Sequence, residues 1–230
     1  MNASIFRKLV YGLAATVVLL QACDDKEDTP PPPAPPTGQS FTQNFNTMAE
    51  ATTQGWIFKN YSDDPGAGWT VKPKTDFYDD PPFEGAGLLY ANYQASNGVD
   101  GNISAWAISP ARVFQNGDKI SFYTLSNGSN DGYGDRLQLR LNLFNASDSI
   151  EHESTAVGGF TRPLVDINPI YKITGPGDYP TTWTKYEATI TGLNKPDSGR
   201  FALRYFVEIH GGANGDELAV DKVEFKSATP

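Results

Sequence analysis

Two histidines, one cysteine and 27 acidic side chains are where catalysis or metal binding would first be sought in this 230-residue chain. His152 is followed by Glu153 but has no second histidine four residues on, so the helical zinc-protease motif is absent. No Gly-x-Ser-x-Gly elbow occurs, and the lone cysteine, Cys23, sits at the end of an N-terminal apolar run, so a standard nucleophile lacks support. A glycosidase needs only two carboxylates whose environments drive their pKa values apart, and no pair stands out here for that role. Acids spread in this way read as a solvated surface. The chain does not read as an enzyme.

Oxygen ligands for a hard cation are a separate matter. Asn127-Gly128-Ser129-Asn130-Asp131-Gly132 begins like an EF-hand loop, but Gln138 stands where the closing acid belongs. A polar hairpin turn is the better reading. Asp221 shares the strand parity of Val223 and Phe225, whereas Leu218 and Val220 have the opposite parity. Either a bulge shifts the register or the carboxylate points inward. A buried carboxylate is costly unless it meets a cation, a metal or several hydrogen-bond donors. Both readings stay open at this stage.

Aromatic side chains supply the third chemistry. Tyr61, Trp69, Phe77, Tyr78, Phe83 and Tyr133 fall in turn-like stretches beside Asp and Asn, although Trp69 suits the core better. An exposed ring next to carboxylates and amides suits a sugar, whose apolar face stacks while its hydroxyls hydrogen-bond. Tyr61, Tyr78 and Tyr133 are the ligand-binding candidates.

These residues need a frame. Leu137, Leu139, Leu141 and Leu143 alternate with polar residues, as do Phe201, Leu203, Tyr205, Val207 and Ile209 with their neighbours, which predicts strands with one buried face. Trp56–Asn60, Leu88–Tyr93, Ile120–Leu125, Trp183–Ile190 and Leu218–Phe225 read as further strands between Gly, Asn, Asp and Pro clusters. Residues 145–180 are too long for a structureless loop, so an extra strand or a packed insertion is expected there.

The N-terminus carries an address. Arg7 and Lys8 precede the apolar run Leu9–Leu20, and Ala22 sits directly before Cys23. This is a secretory signal pattern, too short for a comfortable membrane span. Leu20-Gln21-Ala22-Cys23 resembles the lipobox of bacterial lipoproteins, which implies an acylated Cys23 (palmitate among the chains) as the mature N-terminus. Stable anchoring requires more than one acyl chain, as a lipoprotein cysteine provides. Removing residues 1–22 takes away two cations and moves the net charge from −9 to −11. Such acidity argues against nucleic acid and against docking on anionic lipid. Residues 24–40 are acidic and then proline-rich, an extended tether of up to ~50 Å at ~3.1 Å per residue. The acidic run after Cys23 resembles the surface-export signal of Bacteroidetes lipoproteins. The expected division is therefore 1–22 signal peptide, 23–40 acylated cysteine and linker, and 41–230 folded domain.

Across 41–227, several pieces in order resemble one family. They are Phe41-Thr42-Gln43-Asn44-Phe45-Asn46, Gly55-Trp56, Gly68-Trp69, Ser104-Ala105-Trp106-Ala107-Ile108-Ser109-Pro110, Ile120-Ser121-Phe122, Asp135-Arg136-Leu137, Thr182-Trp183-Thr184-Lys185-Tyr186 and Val220-Asp221-Lys222-Val223-Glu224-Phe225. Together they resemble the choice-of-anchor J domain, related to cleaved adhesin domains and MAM-like jelly rolls. The resemblance implies an all-β jelly-roll sandwich of two antiparallel sheets, non-catalytic, with adhesion or glycan binding. It also implies a structural calcium, with Asp221 as principal carboxylate and Asn46 as supporting ligand. The chain departs from the pattern where Asn46 replaces a glutamate and Lys222 an acid. The expected protein is a monomeric, surface-exposed outer-membrane lipoprotein that binds glycan or a surface protein. A jelly-roll polysaccharide-degrading enzyme and a structural accessory subunit of an outer-membrane complex are the alternatives.

Overall fold

Rows of alternating apolar residues need a second layer to bury them, and two facing sheets meet that need. The computed structural model describes residues 39–73, 81–97, 101–126, 132–143, 145–208 and 215–228. Cys23, the rest of 1–38, Phe77, Tyr78, residues 127–131, Ile209 and His210 lie outside the described residues.

The strands are β1 (Phe41–Gln43), β2 (Ile57–Asn60), β3 (Thr70–Pro73), β4 (Gly87–Asn92), β5 (Ile103–Ile108), β6 (Arg112–Phe114), β7 (Lys119–Ser126), β8 (Leu137–Asn142), β9 (Arg162–Ile167), β10 (Thr184–Thr189), β11 (Asp197–Val207) and β12 (Glu217–Lys226). A short helix, α1 (Met48–Thr53), follows β1, capped by the Thr47 hydroxyl accepting from the Glu50 amide. Among the described residues the strands form two six-stranded sheets with every pairing antiparallel. The first runs β10-β7-β12-β4-β3 with β1 also on β12, and the second runs β2-β5-β11-β8-β9 with β6 also on β11. The protein is an all-β jelly-roll sandwich.

Leu137, Leu139 and Leu141 of β8 and Phe201, Leu203, Tyr205 and Val207 of β11 meet Ile120 and Phe122 of β7 and Leu218, Val220, Val223 and Phe225 of β12 in one core. Trp56 closes it, edge-on to Phe45 and Phe201.

The 145–180 stretch holds both features expected of it. β9 adds a strand beside β8, and residues 145–160 lie over the outer face of the second sheet. There Ile150 and Phe160 pack on Trp106, Ile108 and Ala202. The carbonyls of this irregular cover need donors. Long cations on the sheet provide them: Lys59 Nζ to Asp148 O (2.8 Å), Arg140 Nε to Phe160 O (2.7 Å), Arg200 Nε to Ala146 O (2.8 Å) and Arg204 Nη2 to Ser154 O.

β12 spans ~30 Å at ~3.3 Å per residue and separates two poles of the sandwich. The chain arrives at the pole where β12 ends. The Gln39 side-chain amide donates to Val113 O (3.1 Å) and accepts from Val113 N (2.7 Å), and Ser40 Oγ accepts from Ser227 N (3.0 Å). Tyr93 follows β4 at the opposite pole, where its amide donates to Asp216 O.

Candidate functional site

The candidate surface is built outward from Asp221. β12 bulges between Asp221 and Glu224, with Lys222 in the left-handed region at φ 46°. The bulge explains the conflicting parities: Leu218 and Val220 before it and Val223 and Phe225 after it all face the core. Asp221 therefore does not point into the sandwich. It shares the outer face with Ala219, which packs there with Leu88, Tyr90 and Leu125. The carboxylate is nonetheless fully buried, because residues 81–86 fold over it. Its Oδ2 accepts from the Glu84 amide (2.9 Å) and its Oδ1 from the Lys222 amide (2.6 Å), and the Phe83 amide also donates to it. Burial pushes this carboxyl up to about 7 against the pull of those donors.

Asn46 serves the same loop, its Oδ1 accepting from the Ala86 amide (2.8 Å). Gly85, at φ +86°, leaves no room for a Cβ against Asn46 Oδ1, and a Cβ at Gly87 would meet Phe45 O at 2.6 Å. Lys222 Nζ pairs with Glu84 Oε2 at 2.6 Å, and Glu84 Oε1 accepts from Asn44 Nδ2 at 3.0 Å.

The structure thus brings the two expected metal ligands, Asn46 and Asp221, onto one loop, but their oxygens do not fit a calcium centre. Each carboxylate oxygen of Asp221 already faces an amide N–H, as does Asn46 Oδ1. Calcium needs six to eight oxygens, and an ammonium already occupies this corner. Among the described residues no group of three His, Cys, Asp or Glu side chains comes together to hold a metal. Chelation with EDTA is therefore expected to leave the melting temperature unmoved, within about 1 °C, and added calcium not to raise it. A fall in chelator that calcium reverses would restore the metal reading.

What the clamped loop displays is Phe83. Its ring is 38% exposed and lies flat on Tyr123 of β7, with centroids 3.6 Å apart and planes 15° from parallel. Trp183, just before β10, stands edge-on to Phe83 at 6.2 Å and donates Nε1–H to Pro81 O at 3.0 Å. Lys222 Nζ lies 5.6 Å from the Phe83 ring centre. Around this cluster, Lys119 and Lys185 both pair with Glu187, at 2.8 and 3.2 Å, and Lys226 pairs with Glu224 at 3.8 Å.

The other sequence candidates lie elsewhere. Tyr61 is no open platform: it is half-buried against the cluster under the 145–160 cover, with its ring 4.9 Å from that of His152. Tyr78 lies outside the described residues. Tyr133 is exposed at the pole away from Gln39, where Tyr93 is exposed as well. Beneath them sits a second buried carboxylate. Asp135 Oδ1 accepts from Tyr205 Oη (2.7 Å) and the Asp216 amide (3.0 Å), and burial pushes its carboxyl up to about 7.

No protein family's sequence profile matches the chain, and no curated protein sequence does either. Solved structures do match. The K1 cleaved adhesin domain of Lys-gingipain from Porphyromonas gingivalis W83 aligns over 84% of this chain and 100% of its own, with 17% identity and a TM-score of 0.53. The K2 domain of Lys-gingipain aligns over 81% and 99%, with 15% identity and a TM-score of 0.52. The K3 domain from Porphyromonas gingivalis W83 aligns over 82% and 98%, with 15% identity and a TM-score of 0.51. What this chain has in common with these adhesin domains is their fold.

Proposed function

We propose that this protein is a lipid-anchored, non-catalytic binding module of the cell surface. In this reading residues 1–22 are the signal, acylated Cys23 and the 24–40 tether hold residues 41–230 at the outer membrane, and the first sheet's outer face presents the ligand surface. The observation that carries the binding role is Phe83, an exposed ring fixed in place by a fully buried carboxylate. Asp221 accepts from the amides of Phe83 and Glu84, so the loop backbone is pinned where the ring lies and Phe83 is presented at one place on the sheet. The adhesin fold supports the same reading.

Three measurements test this function together. Wild-type protein is expected in the membrane fraction, with lipid mass on its mature N-terminus and open to protease on intact cells, whereas Cys23→Ser is expected to be released from the membrane or to stall in processing. The Cys23→Ser chain should capture a glycan or a surface protein, and Phe83→Ala should lose the capture while melting within about 2 °C of the parent. Reducing-end assays on a polysaccharide panel should stay at blank. Unchanged membrane fractionation of Cys23→Ser together with no lipid mass on the wild-type N-terminus, release of sugar, or capture indifferent to Phe83 would each count against the proposal.

A further inference from the structure

We infer that the ligand of the Phe83 surface is an uncharged polysaccharide, lying across β7 and β10 with one sugar ring stacked on Phe83. The inference rests on the binding-module reading and adds the chemistry of the ligand.

Strand register sets the layout of the surface. Lys185 is paired with Tyr123, and Tyr123 with Asp221; one step along, Glu187 is paired with Ser121, and Ser121 with Glu224. The stacked Phe83–Tyr123 pair therefore sits on β7, between β10 and β12, with Lys185 and Glu187 on one flank and Lys222, Glu84 and Glu224 on the other. Two strand spacings, about 10 Å, separate the flanks. Tyr123 covers one face of Phe83, and among the described residues no ring stacks on the other; the side chain keeps 38% of its surface exposed.

Charge narrows the ligand class. Among the described residues, four lysines meet three glutamates here, every one in an ion pair, so their charges nearly cancel. An anionic polymer would approach a mature chain of net charge −11 and find these four lysines already paired. A sugar hydroxyl, by contrast, donates to a carboxylate and accepts from an ammonium at once, so paired Lys and Glu suit an uncharged polyol. The same residues argue against a protein partner, because Lys and Glu are depleted from the cores of protein interfaces. A flat apolar ring framed by mixed donors and acceptors is what a pyranose, with its C–H face and equatorial hydroxyls, can satisfy.

The test is affinity electrophoresis and calorimetry of the whole mature chain carrying Cys23→Ser. The neutral probes are hydroxyethylcellulose, xylan, galactomannan and β-1,4-galactan; the anionic probes are alginate and polygalacturonate. At least one neutral polymer is expected to retard the chain, with affinity changing less than about two-fold between 50 and 500 mM NaCl. Phe83→Ala should weaken it by about ten-fold or more, one 1.4 kcal/mol step. Phe83→Tyr should retain most of it, which separates loss of stacking from loss of fold. Retardation by the anionic probes alone, falling steeply with salt, would overturn the uncharged ligand. Should no probe bind while a surface protein is captured through Phe83, the polysaccharide inference fails and the binding-module reading stands. If nothing is captured through Phe83, both fail.

Discussion

Arg204→Ala is expected to destabilise the protein by about 3–5 kcal/mol, the range for emptying a large buried site and orphaning its partners. For a domain of this size that corresponds to a fall of roughly 10 °C in melting temperature. Arg204 is 1% exposed. Its guanidinium donates to Ser104 Oγ (3.1 Å), Gln138 Oε1 (3.5 Å) and Ser154 O, and lies over the rings of Phe206 (3.6 Å) and Trp106 (4.7 Å). Burial, then the charges of Arg140 and Arg136, pull its pKa down to about 9, so the site holds a cation under strain. Arg204→Lys should not rescue, since one ammonium cannot make the planar fork's contacts. Arg204→Met should fall between, filling the volume but leaving Ser154 O without its donor. Thermal melts and limited proteolysis read the two consequences, and cleavage should appear first within 145–160. A shift under about 2 °C would sink this account of the cover.

Stability is also expected to decline as pH rises from about 5.5 to 8. Asp135 and Asp221 each have a carboxyl pushed from the ordinary 3.8 up to about 7 in the folded chain, chiefly by burial. Between those values the folded state holds more protons than the unfolded state, so their contribution is fully present below about 4 and is lost as pH rises through about 7. Glu84, Asp148 and Glu187 work in the opposite sense. Hydrogen bonds to Lys222, Lys59 and Lys119 hold them below their ordinary range, so their contribution is lost only as pH falls through the acid region. These groups are largely exposed, and salt screens them. The melting temperature should therefore peak in mildly acidic buffer and fall toward pH 8, with the slope reduced in Asp221→Asn. A flat or rising profile from pH 5.5 to 8 would contradict the buried carboxylates.

The inner rows of β8 and β11 were legible because alternation over four or five residues admits few readings. Their outer rows were not. Arg204 and Phe206 fall on the row that alternation marks as wet, yet both are buried. Period two shows which residues share a face and says nothing of what covers it; here the cover comes from residues 145–160. The surroundings of Tyr61 are hidden for the same reason, since that cover carries His152 onto its ring. Parity marks Asp221 as anomalous but cannot by itself choose between a bulge and an inward charge. No glycine marks the bulge, because a lysine takes the left-handed conformation. Phe83 was visible as a loop aromatic. Tyr123 read as an ordinary strand residue and Trp183 as the start of a strand, and only the fold brings all three together.

The Gln39–Val113 pairing bears on how the domain would carry a mechanical load. A pull on the chain ahead of Gln39 arrives at β1, three residues long and antiparallel to the end of β12, a geometry that by itself would unzip one bond at a time. Gln39 changes the path of the force. Its side-chain amide holds Val113 of β6 from both sides, Arg112 Nε grips its carbonyl at 3.1 Å, and Ser40 next to it takes the Ser227 amide after β12. β6 belongs to one sheet and β12 to the other. Tension is therefore divided between both layers before any strand is asked to part, and bonds that must break together resist a pull better than bonds that break in turn.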